Sequence, residues 1–226
     1  MSLSHPPAPT HPDKSGGLFY NLAGIAVLVL LLAVGAAYLL DRAGRTVLPP
    51  VPALGDGDVI EQTIGGRELS IPRNWFRHGE QMQPGFAGQV DLDFRLALMP
   101  DAAPVIVEVT LLPRTRVRTS SNLLDRVYLH RFEDDVVTGV PGLVGKPLHG
   151  SEGYNGEVVW YDALAPNPFV AKCMEAVNDG GAERCLRTVH LPSGLAAVFS
   201  FDASALQAWR NFDTEMALWL GQIGAL

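Results

Sequence analysis

The chain has 226 residues and a formal net charge of −7, with 24 acidic against 17 basic side chains. This acidic balance argues against a nucleic-acid partner, whose phosphates require a basic face, and it disfavours adhesion of the folded part to an anionic lipid surface. No internal repeat is detectable, and residues 58–226 are enough for one domain with its own core.

The N-terminal part of the chain predicts a tail followed by a membrane anchor. Residues 1–17 contain four prolines and cannot build a core, so we predict a disordered tail. From Leu22 to Leu40 the chain runs for nineteen residues without a charged side chain. A helix needs about 20 apolar residues to cross a ~30 Å hydrocarbon core, so residues 18–40 predict one transmembrane helix in contact with membrane lipid.

The same segment fits an uncut signal anchor better than a cleaved signal peptide. Lys14 is the only cation before it, the apolar stretch is long, and only residues 34–37 imitate a cleavage motif. Residues 41–57 are rich in proline and glycine and predict a semi-stiff tether to the domain at 58–226.

The two cysteines of the chain bear on which side of the membrane the domain lies. Cys173 and Cys185 flank a turn signal at residues 178–181. An odd-numbered loop centred on Asp179 would set the thiols opposite each other in a disulfide, an even-numbered turn would stagger them, and two unrelated buried thiols are the alternative. A bridge favours an oxidising compartment, so we predict a single-pass inner-membrane protein with a periplasmic domain. Because the charges beside the anchor are nearly balanced, a cytoplasmic domain stays open.

The domain is predicted to be built mainly of strands. In Val90 to Leu98, apolar residues alternate with Asp91, Asp93 and Arg95, as a sheet with one solvated face requires. Gly65-Gly66 is a good hairpin connection between the first two runs. The predicted strands are 59–64, 68–71, 90–98, 105–111, 158–164, 169–176, 184–191 and 194–201.

Two helices are predicted among these strands. Ser120 or Ser121 caps the first, which runs to about Phe132, and residues 143–155 are predicted to be loop. The second begins at Asp202 and lines six residues along one side: Ala205, Trp209, Phe212, Met216, Trp219 and Ile223. We therefore predict an α+β domain with an antiparallel sheet and packed helices.

This order of elements resembles the PsbP-like α/β/α sandwich. The features that carry the resemblance are a strand ending in Ile71-Pro72 with Trp75 shortly after, long alternating strands, a mid-chain helix, and paired strands closing with an amphipathic helix. The resemblance implies a non-enzymatic accessory subunit attached to a membrane complex on its outer side. It transfers no functional residue, because no exclusive family motif is matched.

Motifs for chemistry are scarce. The sequence has no Cys-x-x-Cys, His-Glu-x-x-His or Gly-x-Ser-x-Gly, so we predict no metal, no cofactor and no catalytic residue. The segment 149–156 gathers polar side chains between glycines, which favours either a binding loop or a mobile connection. Its candidate binding residues are His149, Ser151, Glu152, Tyr154 and Asn155.

These features together predict a membrane-anchored, non-enzymatic accessory or assembly protein. Its extracytoplasmic domain would bind another envelope or membrane-complex protein, since a tether raises the effective concentration at membrane neighbours. The alternatives are a membrane-anchored hydrolase or a small-ligand sensor that uses the loop at 149–156.

Overall fold

The computed structural model describes residues 25, 27–36, 58–98, 103–176 and 181–226. The chain divides into two compact units, Met1–Pro50 and Val51–Leu226. In the first unit residues 27–36 are helical (α1). Within the described part of the chain, no helix is both long and apolar enough to cross a membrane. The predicted tail, the tether and most of the span at 18–40 lie outside the described residues, so these assignments stay predictions.

The second unit is an α+β domain, as predicted. A three-stranded sheet consists of β1 (Val59–Ile64), β2 (Arg67–Pro72) and β3 (Gly85–Phe86), in the order β2-β1-β3. The larger sheet has seven strands: β4 (Val90–Leu96), β5 (Val105–Pro113), β6 (Val144–Pro147), β7 (Glu157–Tyr161), β8 (Val170–Met174), β9 (Arg184–His190) and β10 (Leu195–Asp202). Its order is β4-β5-β10-β9-β8-β7-β6, and all of its pairs are antiparallel.

Local sequence signals account for several of these strands. Gly65 and Gly66 have φ of 57° and 86°, the left-handed backbone that a two-residue hairpin turn requires. In β4 the alternation places Val90, Leu92, Phe94 and Leu96 in the core.

The predicted loop at 143–155 is partly wrong, because residues 144–147 form β6. Gly145, Lys146 and Pro147 carry little strand propensity, and pairing with β7 decides the conformation. The predicted strand 158–164 ends at Tyr161, since the Asp162 Oδ1 accepts a hydrogen bond from the Leu164 N–H at 3.0 Å and turns the chain.

The first helix of the second unit, α2 (Ser120–Arg126), is shorter than predicted. Its cap is Thr119 rather than Ser120 or Ser121, and the Thr119 side chain accepts a hydrogen bond from the Asn122 N–H at 3.2 Å. A 3₁₀ turn follows at Tyr128–His130. The helix cannot run to Phe132 because the backbone at 131–137 bonds to β6 instead.

At the C-terminus, Asp202 caps a 3₁₀ segment, Ala203–Ala208, which leads into α3 (Trp209–Gln222). Phe212 and Met216 are buried, as the predicted stripe requires. A large core cluster contains the buried face of α3, and a second cluster, with Leu124 and Tyr128, packs α2 against the sheet. The alternating residues Val159 and Trp160 fall in different clusters, so the two helices cover opposite faces of the sheet.

The predicted disulfide is present between β8 and β9. Cys173 pairs directly with Cys185 in the register, and their sulfur atoms are 1.96 Å apart. Both residues are fully buried. This register is the one that an odd-numbered loop centred on Asp179 produces, so the pairing argument from the sequence is confirmed.

Candidate functional site

The two edges of the seven-stranded sheet are protected to different extents. The β6 edge is covered by the segment at 131–137, where the Val137 N–H donates to the Gly145 carbonyl at 2.9 Å and the Glu133 N–H to the Pro147 carbonyl at 3.0 Å. Such cover prevents the exposed backbone of an edge strand from pairing with another chain.

Among the residues that the structure describes, the opposite edge, β4, is covered only over its first half. Phe76 forms an isolated antiparallel bridge with Leu92. The Arg77 N–H donates to the Asp91 carbonyl at 2.9 Å, and the Asp91 N–H donates to the Gln81 Oε1 at 2.8 Å. Both backbone groups of Asp91 therefore point away from β5.

The second half of β4 is open among the described residues. Because the backbone groups of alternate residues in an antiparallel strand point the same way, the N–H and C=O groups of Asp93 and Arg95 also point away from β5. The bridge between Phe76 and Leu92 sets the Asp93 N–H against the Trp75 carbonyl. No described residue bonds to the Asp93 C=O or to the N–H and C=O of Arg95. They form a short free edge of the kind that accepts an added strand.

A groove of about 360 Å³ wraps around this open edge. On the core side it is lined by Trp75 and Trp219, which contact each other and Phe94 with ring centroids 4.9 to 5.4 Å apart. On the solvent side it is lined by Asp93, Arg95 and Ile106. Among the described residues the two indole N–H groups of this groove make no hydrogen bond, and aromatic rings with a free polar tip are typical of protein interfaces.

Charges on the solvent face divide into paired and unpaired groups. Glu108 on β5 is held between Arg77 at 2.9 Å and Arg184 at 3.0 Å. Asp93 and Arg95, which are exposed, make no ion pair with any described residue. With respect to the described residues, the open edge therefore presents one unpaired anion and one unpaired cation two residues apart.

Asp91 fixes the boundary between the covered and open halves of β4. Burial alone would raise the pKa of this carboxyl, but hydrogen bonds donated by Thr110 at 2.5 Å, Gln81 at 2.8 Å and Gln89 at 3.4 Å outweigh it and lower the pKa. The ionised form is thus stabilised, and it positions Gln81 against the strand.

The structure places the candidate loop residues on the surface. His149, Ser151 and Asn155 are exposed, and Tyr154 is half-buried with the Lys172 Nζ 5.8 Å from its ring centre. Among the described side chains His149 and Ser151 make no hydrogen bond to each other, and the side chain of Glu152 lies outside the described residues. The groove at the β4 edge is lined by other residues. A binding role for this loop stays a prediction.

One group of side chains has the spacing of metal ligands. Ligand atoms of Cys173, Glu183 and Cys185 lie within 4.8 Å of one another. Burial, with the charges of Glu175 and Asp202, raises the pKa of Glu183. Because a metal binds thiolate and these sulfurs are joined in the disulfide, the oxidised protein offers a single carboxylate here.

Sequence reasoning found the shared face of Asp91, Asp93 and Arg95 but not the open edge. The alternating pattern was the only signal, and it does not tell an edge strand from a central one. No family model, no curated protein and no solved structure matches this chain.

Proposed function

We propose that this protein is a membrane-anchored, non-enzymatic accessory or assembly factor whose extracytoplasmic domain binds an extended segment of another envelope protein. The observation that carries the proposal is the open second half of β4, with its aromatic groove. The cover on the β6 edge supports it by contrast, because the described residues protect that edge and leave the second half of β4 accessible.

The groove sets the chemistry of the segment it would bind. An added strand bonds to the backbone of Asp93 and Arg95 and places alternate side chains on the two sides of the edge. The residue opposite Phe94 then points to Trp75 and Trp219, while its neighbours face Asp93 and Arg95. The complementary partner is a segment with an apolar or aromatic residue between a basic and an acidic one.

The apolar run at 22–40 and the disulfide support the proposed location. A protein held to the bilayer by a tether meets other membrane proteins at high effective concentration, so a short strand interface is enough for association. A disulfide is typical of proteins in an oxidising compartment. Both observations favour an inner-membrane protein with a periplasmic domain.

A proline variant tests the proposal. Arg95→Pro removes an N–H that points out of the sheet, so no internal ladder bond is lost but an added strand is blocked. Arg95→Ala is the matched control, because it removes the charge and keeps the N–H. The protein and both variants are purified from native membranes in mild detergent, and the co-purifying proteins are identified.

The expected result is an envelope protein that accompanies the wild type and Arg95→Ala but not Arg95→Pro. Circular dichroism of each variant verifies that the domain is folded. An identical set of co-purifying proteins in all three samples would contradict the proposal.

A further inference from the structure

The pairing between β8 and β9 stops before either strand ends. The last pair of the ladder is Lys172 with Leu186, although β9 continues to His190. The next bonded pair in this register would be Val170 with Thr188. The ladder does not include this pair, so β8 and β9 separate at Val170 and Thr188. We call this gap the split.

Two side chains bond to the backbone groups that β8 and β9 leave unpaired at the split. The Thr188 N–H donates to the Ser120 Oγ at 2.8 Å, and the Val170 carbonyl accepts from the Arg187 Nη1 at 3.1 Å. Ser120 and Arg187 are each 6% exposed, and both are among the few buried polar residues of the described chain. The opening is therefore built from buried polar groups, which cost free energy unless they are bonded.

Arg187 is the charged group at the centre of the split. It donates from Nε to the Asp213 Oδ1 at 2.9 Å and from Nη2 to the Asp213 Oδ2 at 2.5 Å, and it lies 4.2 Å from the centre of the Phe169 ring. A guanidinium has five N–H donors, and the bonds to described residues use three of them. The side chain of Asp213 is 53% exposed against 7% for that of Arg187, so solvent reaches the carboxylate and hardly reaches the cation.

Two cavities meet at this arginine and share Asn167, Arg187 and Val189. One has a volume of about 270 Å³ and is mainly polar, with the side chains of Thr119, Ser121 and Thr188 in its wall. The other, of about 250 Å³, lies between α3 and the sheet and is mainly apolar, with Leu191, Phe199, Met216 and Leu220 in its wall.

We propose that this split is a binding site for a small carboxylate that carries a short hydrocarbon chain. The ligand carboxylate binds the Arg187 guanidinium, whose fork matches it in geometry and charge, and the hydrocarbon chain enters the apolar cavity below α3. Asp213 holds the place of the ligand carboxylate in the free protein, and its exposed position allows displacement. The site is separate from the β4 edge, so it is a second binding function and does not depend on the first.

Octanoate binding to the full-length protein in lipid nanodiscs tests this proposal. Equilibrium dialysis with labelled octanoate measures binding, and identical nanodiscs without protein give the lipid partition to be subtracted. Acetate, which lacks the chain, and octanol, which lacks the charge, are the comparison ligands. The variant Ala217→Phe fills the apolar cavity, and Asp213→Asn removes the competing carboxylate.

We expect saturable binding of octanoate but not of acetate or octanol. Asp213→Asn should bind octanoate roughly tenfold more tightly, since a charged bond to Arg187 is then free for the ligand. Ala217→Phe should weaken binding by a similar factor. If the Arg187–Asp213 pair is only structural, Asp213→Asn lowers the stability of the domain and does not increase its affinity for octanoate.

Three outcomes would overturn the site. They are the absence of saturable octanoate binding to both the wild type and Asp213→Asn, equal binding of octanol and octanoate, and weaker binding by Asp213→Asn than by the wild type. The Asp213→Asn result stands by itself if Ala217→Phe fails to fold.

Discussion

Breaking the disulfide between Cys173 and Cys185 should lower the stability of the domain by an amount that the chain length between them sets. The two residues are 12 apart in sequence. On the chain-entropy model, a loop of this size restricts the unfolded chain by about 3 kcal/mol at 25 °C. Removing the sulfurs as well, in Cys173→Ala/Cys185→Ala, should cost more, because both side chains are fully buried and their loss leaves cavities.

Urea unfolding measured by tryptophan fluorescence tests this difference. All four tryptophans of the chain lie in residues 58–226, so the signal reports the domain and not the N-terminal unit. Reduced wild-type protein keeps the sulfurs and isolates the effect of the cross-link. We expect midpoints in the order oxidised wild type, reduced wild type, double alanine variant. Equal midpoints for oxidised and reduced protein would refute the reasoning.

The remaining predictions concern packing and pH. Gly145→Ala should destabilise the domain by about 1–3 kcal/mol, since a Cβ would lie 2.8 Å from the Val137 carbonyl oxygen. Gly79→Ala is the control in the same urea assay and should be nearly neutral, because the space around Gly79 is open. Burial raises the pKa of Tyr128 to about 12, so its contribution to stability is complete below pH 10, its ordinary pKa, and is lost as the pH rises toward 12; Tyr128→Phe should remove that part of the alkaline loss of melting temperature. Because the pKa of Asp91 is lowered, its contribution to stability is present above its ordinary pKa of 3.8 and is lost as the pH falls below that value. Asp91→Asn should therefore flatten the acid limb of the plot of melting temperature against pH. An unchanged acid limb would contradict the assigned hydrogen bonds.

Local patterns predicted those parts of the fold that depend on local physics. The alternation in β4 predicted its buried face, and the glycine pair predicted the first hairpin. The spacing of Cys173 and Cys185 about Asp179 left a facing and a staggered register open, and the structure has the facing one. In each case the conformation follows from a period of two or from a backbone angle that few residues adopt.

Tertiary contacts decided what the sequence could not give. Gly145 and Pro147 are poor strand residues, yet they form β6 because β7 and the segment at 131–137 supply its partners. The early end of α2 has the same cause. The open edge of β4 depends on strand order, which sequence periodicity does not encode. The split at Arg187 depends on long-range bonds from the Ser120 and Arg187 side chains to the strand backbones.

The most direct test of the proposed function is photo-crosslinking in intact cells from a reactive residue placed at Asp93. Asp135 is the matched control, because it is exposed but belongs to the segment that covers the opposite edge of the sheet. We predict a covalent adduct with another envelope protein from position 93 and none from position 135. No adduct from position 93, or the same adducts from both positions, would contradict the account.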